Sequence, residues 1–149
     1  MAPESESKNT GWYTRFARHP FYGEFGINSG VMLMNLTRMR KIKFEEKIPV
    51  IYEVFKSQLA WGDQDILNIY FHQVPEELLL MGCDFNYRPD HCMYSTQCDI
   101  ESGVKVLHGN RGYFHKEGGK QGIFREIYKA IEEVREFERI LNIFNGFLV

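Results

Sequence analysis

The chain has 149 residues, 44% hydrophobic and 26% charged, which suits one globular domain with an ordinary core and argues against disorder. A net charge of -2 supplies no basic field for a phosphate backbone, so nucleic acid is not an expected partner. No apolar run approaches the roughly 20 residues of a transmembrane helix, and MAPESESKNT lacks the basic and apolar regions of a signal peptide.

Residues 1–10 are polar and are expected to be disordered or irregular. GWYTRFARHPFYGEFG follows, aromatic and basic and broken by Pro20 and glycines, and reads as irregular structure. NSGVMLMNL is a glycine turn feeding a continuous apolar run, Val31 to Leu36, with the length of a strand buried on both faces. FEEKIPVIYEVFKSQLA predicts a helix beyond Pro49 with Ile51, Val54, Phe55 and Leu59 on one face. DQDILNIYFHQV predicts a second helix, with Ile66, Leu67, Ile69 and Tyr70 at helical spacing and Asp63 placed to cap it. GCDFNYRPDHCMYSTQCD reads as a polar, aromatic loop, and GVKVLHGNRG as a short strand ending in a glycine-flanked turn that carries His108. From Gly122 an amphipathic helix is expected with Ile123, Ile127, Ile131, Val134 and Phe137 inward. Strands alternating with helices, and polar motifs just past the strands, predict an α/β architecture with a site at the strand ends.

Three groups of residues carry candidate chemistry. Asp63-Gln64-Asp65 is a good helix start, where carboxylates stabilise exposed amides, and it also matches the loose D-x-D pattern that holds a divalent ion and a nucleotide diphosphate. The Gln64 amide could hydrogen-bond a sugar hydroxyl. His108, between apolar VKVL and glycines 109 and 112, could ligate a metal or serve as a turn histidine, and Arg111 could pair with an anion. Asn28-Ser29-Gly30 is small and polar before an apolar run, suited to a turn and to touching a sugar. His19, His72, His91 and His115 are most simply surface or structural groups. Asn35-Leu36-Thr37 is a formal glycosylation sequon at the end of the apolar run, where a glycan would have to clear the core. Cys83, Cys92 and Cys98 are compatible with buried thiols, with a zinc site that includes His91, or, in an oxidising compartment, with a Cys92–Cys98 disulfide.

In this order, GINSGVMLMNLTRMR, WGDQDILN, FNYRPDHCMY and VLHGNRGYFH resemble the retaining glycosyltransferases of the glycogenin type, and more closely the glucoside xylosyltransferases. GWYTRFARHPFYG and RPDHC are the specific parts. The resemblance implies a partial GT-A, Rossmann-like fold without its nucleotide-binding half. Residues 1–10 would be the irregular start, 11–130 the C-terminal part of the transferase domain, and 131–149 a helical tail. It implies Mn²⁺ held in part by His108, and Gln64 and Asp65 as catalytic groups. Asp63, Asn28, Ser29 and Gly30 would face donor sugar and acceptor, while Gly109, Arg111 and Gly112 would bind the diphosphate. Phe114 stands where the wider pattern has a lysine.

By that resemblance UDP-xylose would donate xylose, with retention and in α-1,3 linkage, to O-linked glucose on EGF-like repeats. The complete protein would be membrane-anchored in the endoplasmic reticulum or Golgi lumen, which favours the Cys92–Cys98 disulfide. Lacking the uridine-binding strands and the metal DxD, this chain would be inactive by itself. The alternatives are a non-catalytic acceptor-binding module, or a related transferase using UDP-glucose or UDP-galactose.

Overall fold

The structure is a computed structural model that describes residues 1–94, 98–118 and 121–147, with 140–147 described as backbone only. The chain divides into two compact units, Met1–His108 and Gly109–Val149.

The first unit is built around helix α4, Asp63–Gln73, which buries Gln64, Asp65, Leu67, Asn68, Ile69 and Tyr70. Its apolar residues face two ways. Leu67 packs with Met1 and Ile27, while Ile69 and Tyr70 pack with Ile51 of helix α3, Phe44–Phe55. Tyr70 is held further by its hydroxyl, which donates to Glu77 and accepts from Lys47 Nζ at 3.2 Å. The expected helix thus forms, with Leu67, Ile69 and Tyr70 inward, but its N-cap is Gly62 (φ 62°) and Asp63 is the exposed first helical residue. Gly62 takes the cap because the chain arrives in a left-handed conformation that glycine adopts without strain.

Helix α3 begins before Pro49 rather than beyond it. Pro49 lies in the second turn, where its missing N–H forfeits the bond to the Glu45 carbonyl and its ring faces solvent. Ile51 is buried and Phe55 and Leu59 pack partly against the same cluster, whereas Val54 is exposed.

Two other expectations change. Of the residues expected to be disordered or irregular, 4–10 are turns and irregular chain, while Ala2–Pro3 form strand β1, antiparallel to β2, Ile27–Asn28, and Met1 and Ala2 are buried. The Met1 ammonium donates to Leu79 O at 3.3 Å and Met81 N donates to Met1 O at 2.8 Å. A segment polar on average thus carries, in Met1 and Ala2, two residues apolar enough to bury. Second, Trp12–Phe16 in the aromatic stretch form a short helix, α1. The Trp12 amide donates to Glu4 Oε2 at 3.1 Å, and the Trp12 ring sits 5.6 Å from that of Trp61.

The apolar run Val31 to Leu36 is not a strand. Residues 31–35 are irregular, Leu33 is 90% exposed, and Leu36 opens helix α2, Leu36–Lys41. Burial on both faces needs a neighbouring strand on each side, and among the described residues no backbone bond reaches Val31–Met34. Asn35 is the N-cap of α2, its Oδ1 accepting from Arg38 N at 3.0 Å, and it is exposed rather than set at a strand end. Met32, Leu33, Met34, Leu79 and Met81 line an apolar groove of about 370 Å³.

The loop 82–99 contains a 3-10 turn, Cys83–Asn86, and helix α5, Pro89–Met93. The expected strand before His108 reduces to one parallel bridge, Tyr87 to Leu107, in which Tyr87 N donates to Val106 O and His108 N to Tyr87 O, each at 2.9 Å. The cysteine pairing also differs. Cys83 bonds Cys98 with Cα atoms 5.7 Å apart, and Cys92 is free and exposed. Cys92 sits on α5 beside the Tyr87 hydroxyl, 3.3 Å away, on a helix that fixes its direction independently of Cys98.

In the second unit, helix α6 runs unbroken from Gly122 to Phe147. The stripe expected inward is exposed throughout, at Ile123, Ile127, Ile131, Val134 and Phe137, while Phe124 is buried. Periodicity shows which residues share a face; it does not supply a partner for that face. Among the described residues the architecture is therefore mixed, mostly helical with one small antiparallel sheet, compatible with the α/β class. A Rossmann-like parallel sheet is not among them.

Candidate functional site

The sequence places a buried asparagine in the middle of an amphipathic helix, and that residue aims the site. Asn68 on α4 is fully buried. Its Oδ1 accepts from Ile27 N at 2.8 Å and its Nδ2 donates to Ile27 O at 2.8 Å, so the side chain imitates a neighbouring strand. β2 is thereby pinned to α4, and its last residue, Asn28, leads with Ser29 and Gly30 into a turn over the helix start.

Five of the candidate residues and one further asparagine meet there. Gln64 Oε1 accepts from Ser29 N at 3.0 Å. Asn28 Oδ1 accepts from Gly30 N at 3.0 Å and from Asn86 Nδ2 at 2.9 Å. Asn86 Oδ1 stands 2.8 Å from His108 Nδ1. Gly30 is required by space: a Cβ there would come within 2.0 Å of His108 Cε1. The imidazole thus lies directly over the glycine.

The His108 pKa is held below the ordinary histidine value, chiefly by burial and then by the nearby Arg88 charge, with Asp90 opposing. Each of the first two favours the neutral ring, the form that ligates a metal. Metal-ligating histidines commonly engage the second ring nitrogen with a carbonyl or carboxylate, which is the geometry of His108 and Asn86. The residues therefore fit a divalent ion at His108 as a single ligand. Among the described residues no group of three or more His, Cys, Asp or Glu side chains could hold one. The zinc alternative loses two of its thiols to the Cys83–Cys98 bond.

Asp65 is placed differently from the expectation of a group facing substrate. It is completely buried and accepts hydrogen bonds from three of the chain's own donors. Oδ1 accepts from the Tyr13 hydroxyl at 2.8 Å and lies 3.3 Å from His19 Nε2; Oδ2 accepts from Ala60 N and Trp61 N, each at 2.6 Å. The carboxylate ties the loop before α4 to α1 and to the His19 turn, and so holds its neighbour Gln64 in place. Burial, then the Asp65 hydrogen bond and charge, push the Tyr13 pKa well above the usual phenol value. Tyr13 therefore stays a donor to the carboxylate. Asp63 is exposed and makes no contact in this cluster.

Gly109, Arg111 and Gly112 belong to the second unit, in and around a 3-10 turn, Asn110–Gly112. Arg111 and Gly112 both have positive φ, 56° and 75°. Gly109 is needed for contact: a Cβ would come within 2.4 Å of the Phe114 ring, which stacks on Tyr128 with centroids 5.2 Å apart. Phe114 is thus a packing residue of its own unit.

The residues that sequence reasoning missed are Asn86, Asn68, Tyr13 and His19. An asparagine at an inward position of α4 was a legible signal for Asn68, because a buried amide must find partners. Asn86 is about sixty residues from Asn28, and nothing local marks it. His91, read as surface or structural, is structural and buried: its Nδ1 accepts from Arg88 N at 2.9 Å and Nε2 lies 3.2 Å from Glu6.

The chain is 52% identical to mouse glucoside xylosyltransferase 2 over 146 residues, 89% of this chain and 32% of that protein. It is 47% identical to human glucoside xylosyltransferase 1 over 144 residues, 88% of this chain and 32% of that protein. A more distant relative, a glycosyltransferase-like LARGE protein of Caenorhabditis elegans, is 31% identical over 113 residues, 73% of this chain and 17% of that protein. No family model and no solved structure matches. At about half identity over nearly nine-tenths of its residues, this chain belongs to the glucoside xylosyltransferases, of whose length it spans about a third.

Proposed function

We propose that this chain forms the sugar-facing part of a retaining glycosyltransferase that moves xylose from UDP-xylose to O-linked glucose on EGF-like repeats, in α-1,3 linkage. The observation that carries the reading is the convergence of Asn28, Ser29, Gly30, Gln64 and His108 on one turn, in a chain about half identical to glucoside xylosyltransferases. His108 is the residue that would hold Mn²⁺; when bound, the ion would neutralise charge on the departing diphosphate. Gln64 and the Asn28–Gly30 turn orient the donor sugar and acceptor. Asp65 acts by fixing Gln64, since geometry errors near 1 Å at reacting groups are costly. Arg111, Gly109 and Gly112 would meet the diphosphate. The activity belongs to the secretory lumen, where the Cys83–Cys98 bond is stable.

The test is a chimera: this chain replaces the matching segment of mouse glucoside xylosyltransferase 2, and transfer to a glucosylated EGF-like repeat is followed by mass spectrometry. The chimera should add one pentose from UDP-xylose, and His108→Ala should cut Mn²⁺-dependent transfer by 100-fold or so, as expected when a charge-stabilising group is lost. Transfer of a hexose from UDP-glucose or UDP-galactose would assign the other donor class. The 149-residue chain alone should bind the glucosylated repeat without modifying it, because one metal ligand cannot position a nucleotide sugar. Product from the chain alone would overturn this division of labour.

A further inference from the structure

The polarity of the Asn28–Asn86–His108 relay can be read from one backbone amide. Gly30 N can only donate, so the Asn28 atom facing it at 3.0 Å is the carbonyl oxygen. That same oxygen faces Asn86 at 2.9 Å, so the Asn86 group there is its NH₂. The Asn86 carbonyl then points to His108 Nδ1 at 2.8 Å, and a carbonyl only accepts. Nδ1 must therefore carry the proton.

We propose that Asn86 is a positioning residue that locks His108 as its Nδ1–H tautomer and leaves Nε2 as the one ring lone pair available to a divalent cation. Among the described residues nothing hydrogen-bonds Nε2. Gly30 completes the device, because the ring is seated over a position where any Cβ would collide with it at 2.0 Å. The 3-10 turn Cys83–Asn86, closed by the Cys83–Cys98 bond, and the Tyr87–Leu107 bridge set the two side chains from opposite ends of the same loop pair. The purpose of the relay rests on the metal reading of His108; its existence does not.

Free neutral imidazole favours the Nε2–H form, so the relay has a signature that a merely structural asparagine would not move. In a long-range ¹H–¹⁵N spectrum of the 149-residue chain, above the pH at which the ring is charged, His108 should show a protonated-type Nδ1 and an unprotonated-type Nε2. Asn86→Ala should reverse that pattern. Asn86→Asp, which keeps an acceptor toward Nδ1, should restore it. Mn²⁺ should broaden His108 in the native chain and need about ten-fold or more higher concentration in Asn86→Ala, the lower bound for loss of a partner behind a metal-ligating histidine. An Nε2–H tautomer in the native chain overturns the inference, and that spectrum decides even if Asn86→Ala fails to fold. An Nδ1–H ring that Mn²⁺ does not broaden supports the relay and removes His108 as the metal ligand.

Discussion

Replacing Asp65 by alanine removes one acceptor from several donors at once. Tyr13 OH at 2.8 Å loses Oδ1, and Ala60 N and Trp61 N, both at 2.6 Å, lose Oδ2. Ala60 and Trp61 are exposed enough for water to reach their amides, but Tyr13 is 1% exposed and its hydroxyl is stranded. A buried donor left unsatisfied costs about 1–3 kcal/mol, and breaking a buried charged network costs about 3–5 kcal/mol. Asp65→Ala should therefore destabilise by about 3–5 kcal/mol, a large part of the roughly 5–15 kcal/mol of an ordinary domain. Asp65→Asn keeps the shape. Its oxygen can serve the two amides and its NH₂ can face a rotated Tyr13 hydroxyl, so only the charge assistance is lost, about 1–2 kcal/mol. Urea titration followed by tryptophan fluorescence suits the question, since Trp12 and Trp61 stand 5.6 Å apart beside this network. The reasoning fails if Asp65→Ala costs less than about 1 kcal/mol, or if asparagine is as damaging as alanine.

Three further outcomes are expected. Glu4, raised from 4.5 to about 7 chiefly by burial, binds its proton more tightly folded than unfolded. Its contribution is thus complete below pH 4.5 and is lost as pH rises through about 7, by at most about 3 kcal/mol; Glu4→Gln should flatten that fall in urea titrations across the interval. Gly30→Ala should displace the His108 ring and cost about 1–3 kcal/mol, seen as a loss of stability together with shifted His108 resonances. Peptide mapping of non-reduced protein from a secretory host should join Cys83 to Cys98 and leave Cys92 open to alkylation, and Cys83→Ser should cost about 3 kcal/mol for a loop of 15 residues. A Cys92–Cys98 peptide would show the pairing to be wrong.

Local pattern determined a good deal here. The apolar spacing from Ile66 to Tyr70 is enough to specify α4, because a helix side is defined by residues three and four apart. The order of NSG, DQD and HGN motifs was enough to indicate the family, and Asn28, Ser29, Gly30, Gln64 and His108 do gather in one place. What the sequence could not decide is whatever depends on a partner distant along the chain. Whether Val31 to Leu36 becomes a strand depends on neighbours that the run does not contain, and the same is true of the exposed stripe on α6. Asp65 reads locally as a helix-start carboxylate; only the arrival of Tyr13 and His19, some fifty residues away, makes it a buried organising charge. Likewise three cysteines within sixteen positions allow several pairings, and the choice fell to Cα separation and side-chain direction, which tertiary packing sets. Asn86 is the clearest case: its identity as the partner of both Asn28 and His108 exists only once the two loops meet, because a hydrogen bond depends on distance and direction in space and not on spacing along the chain.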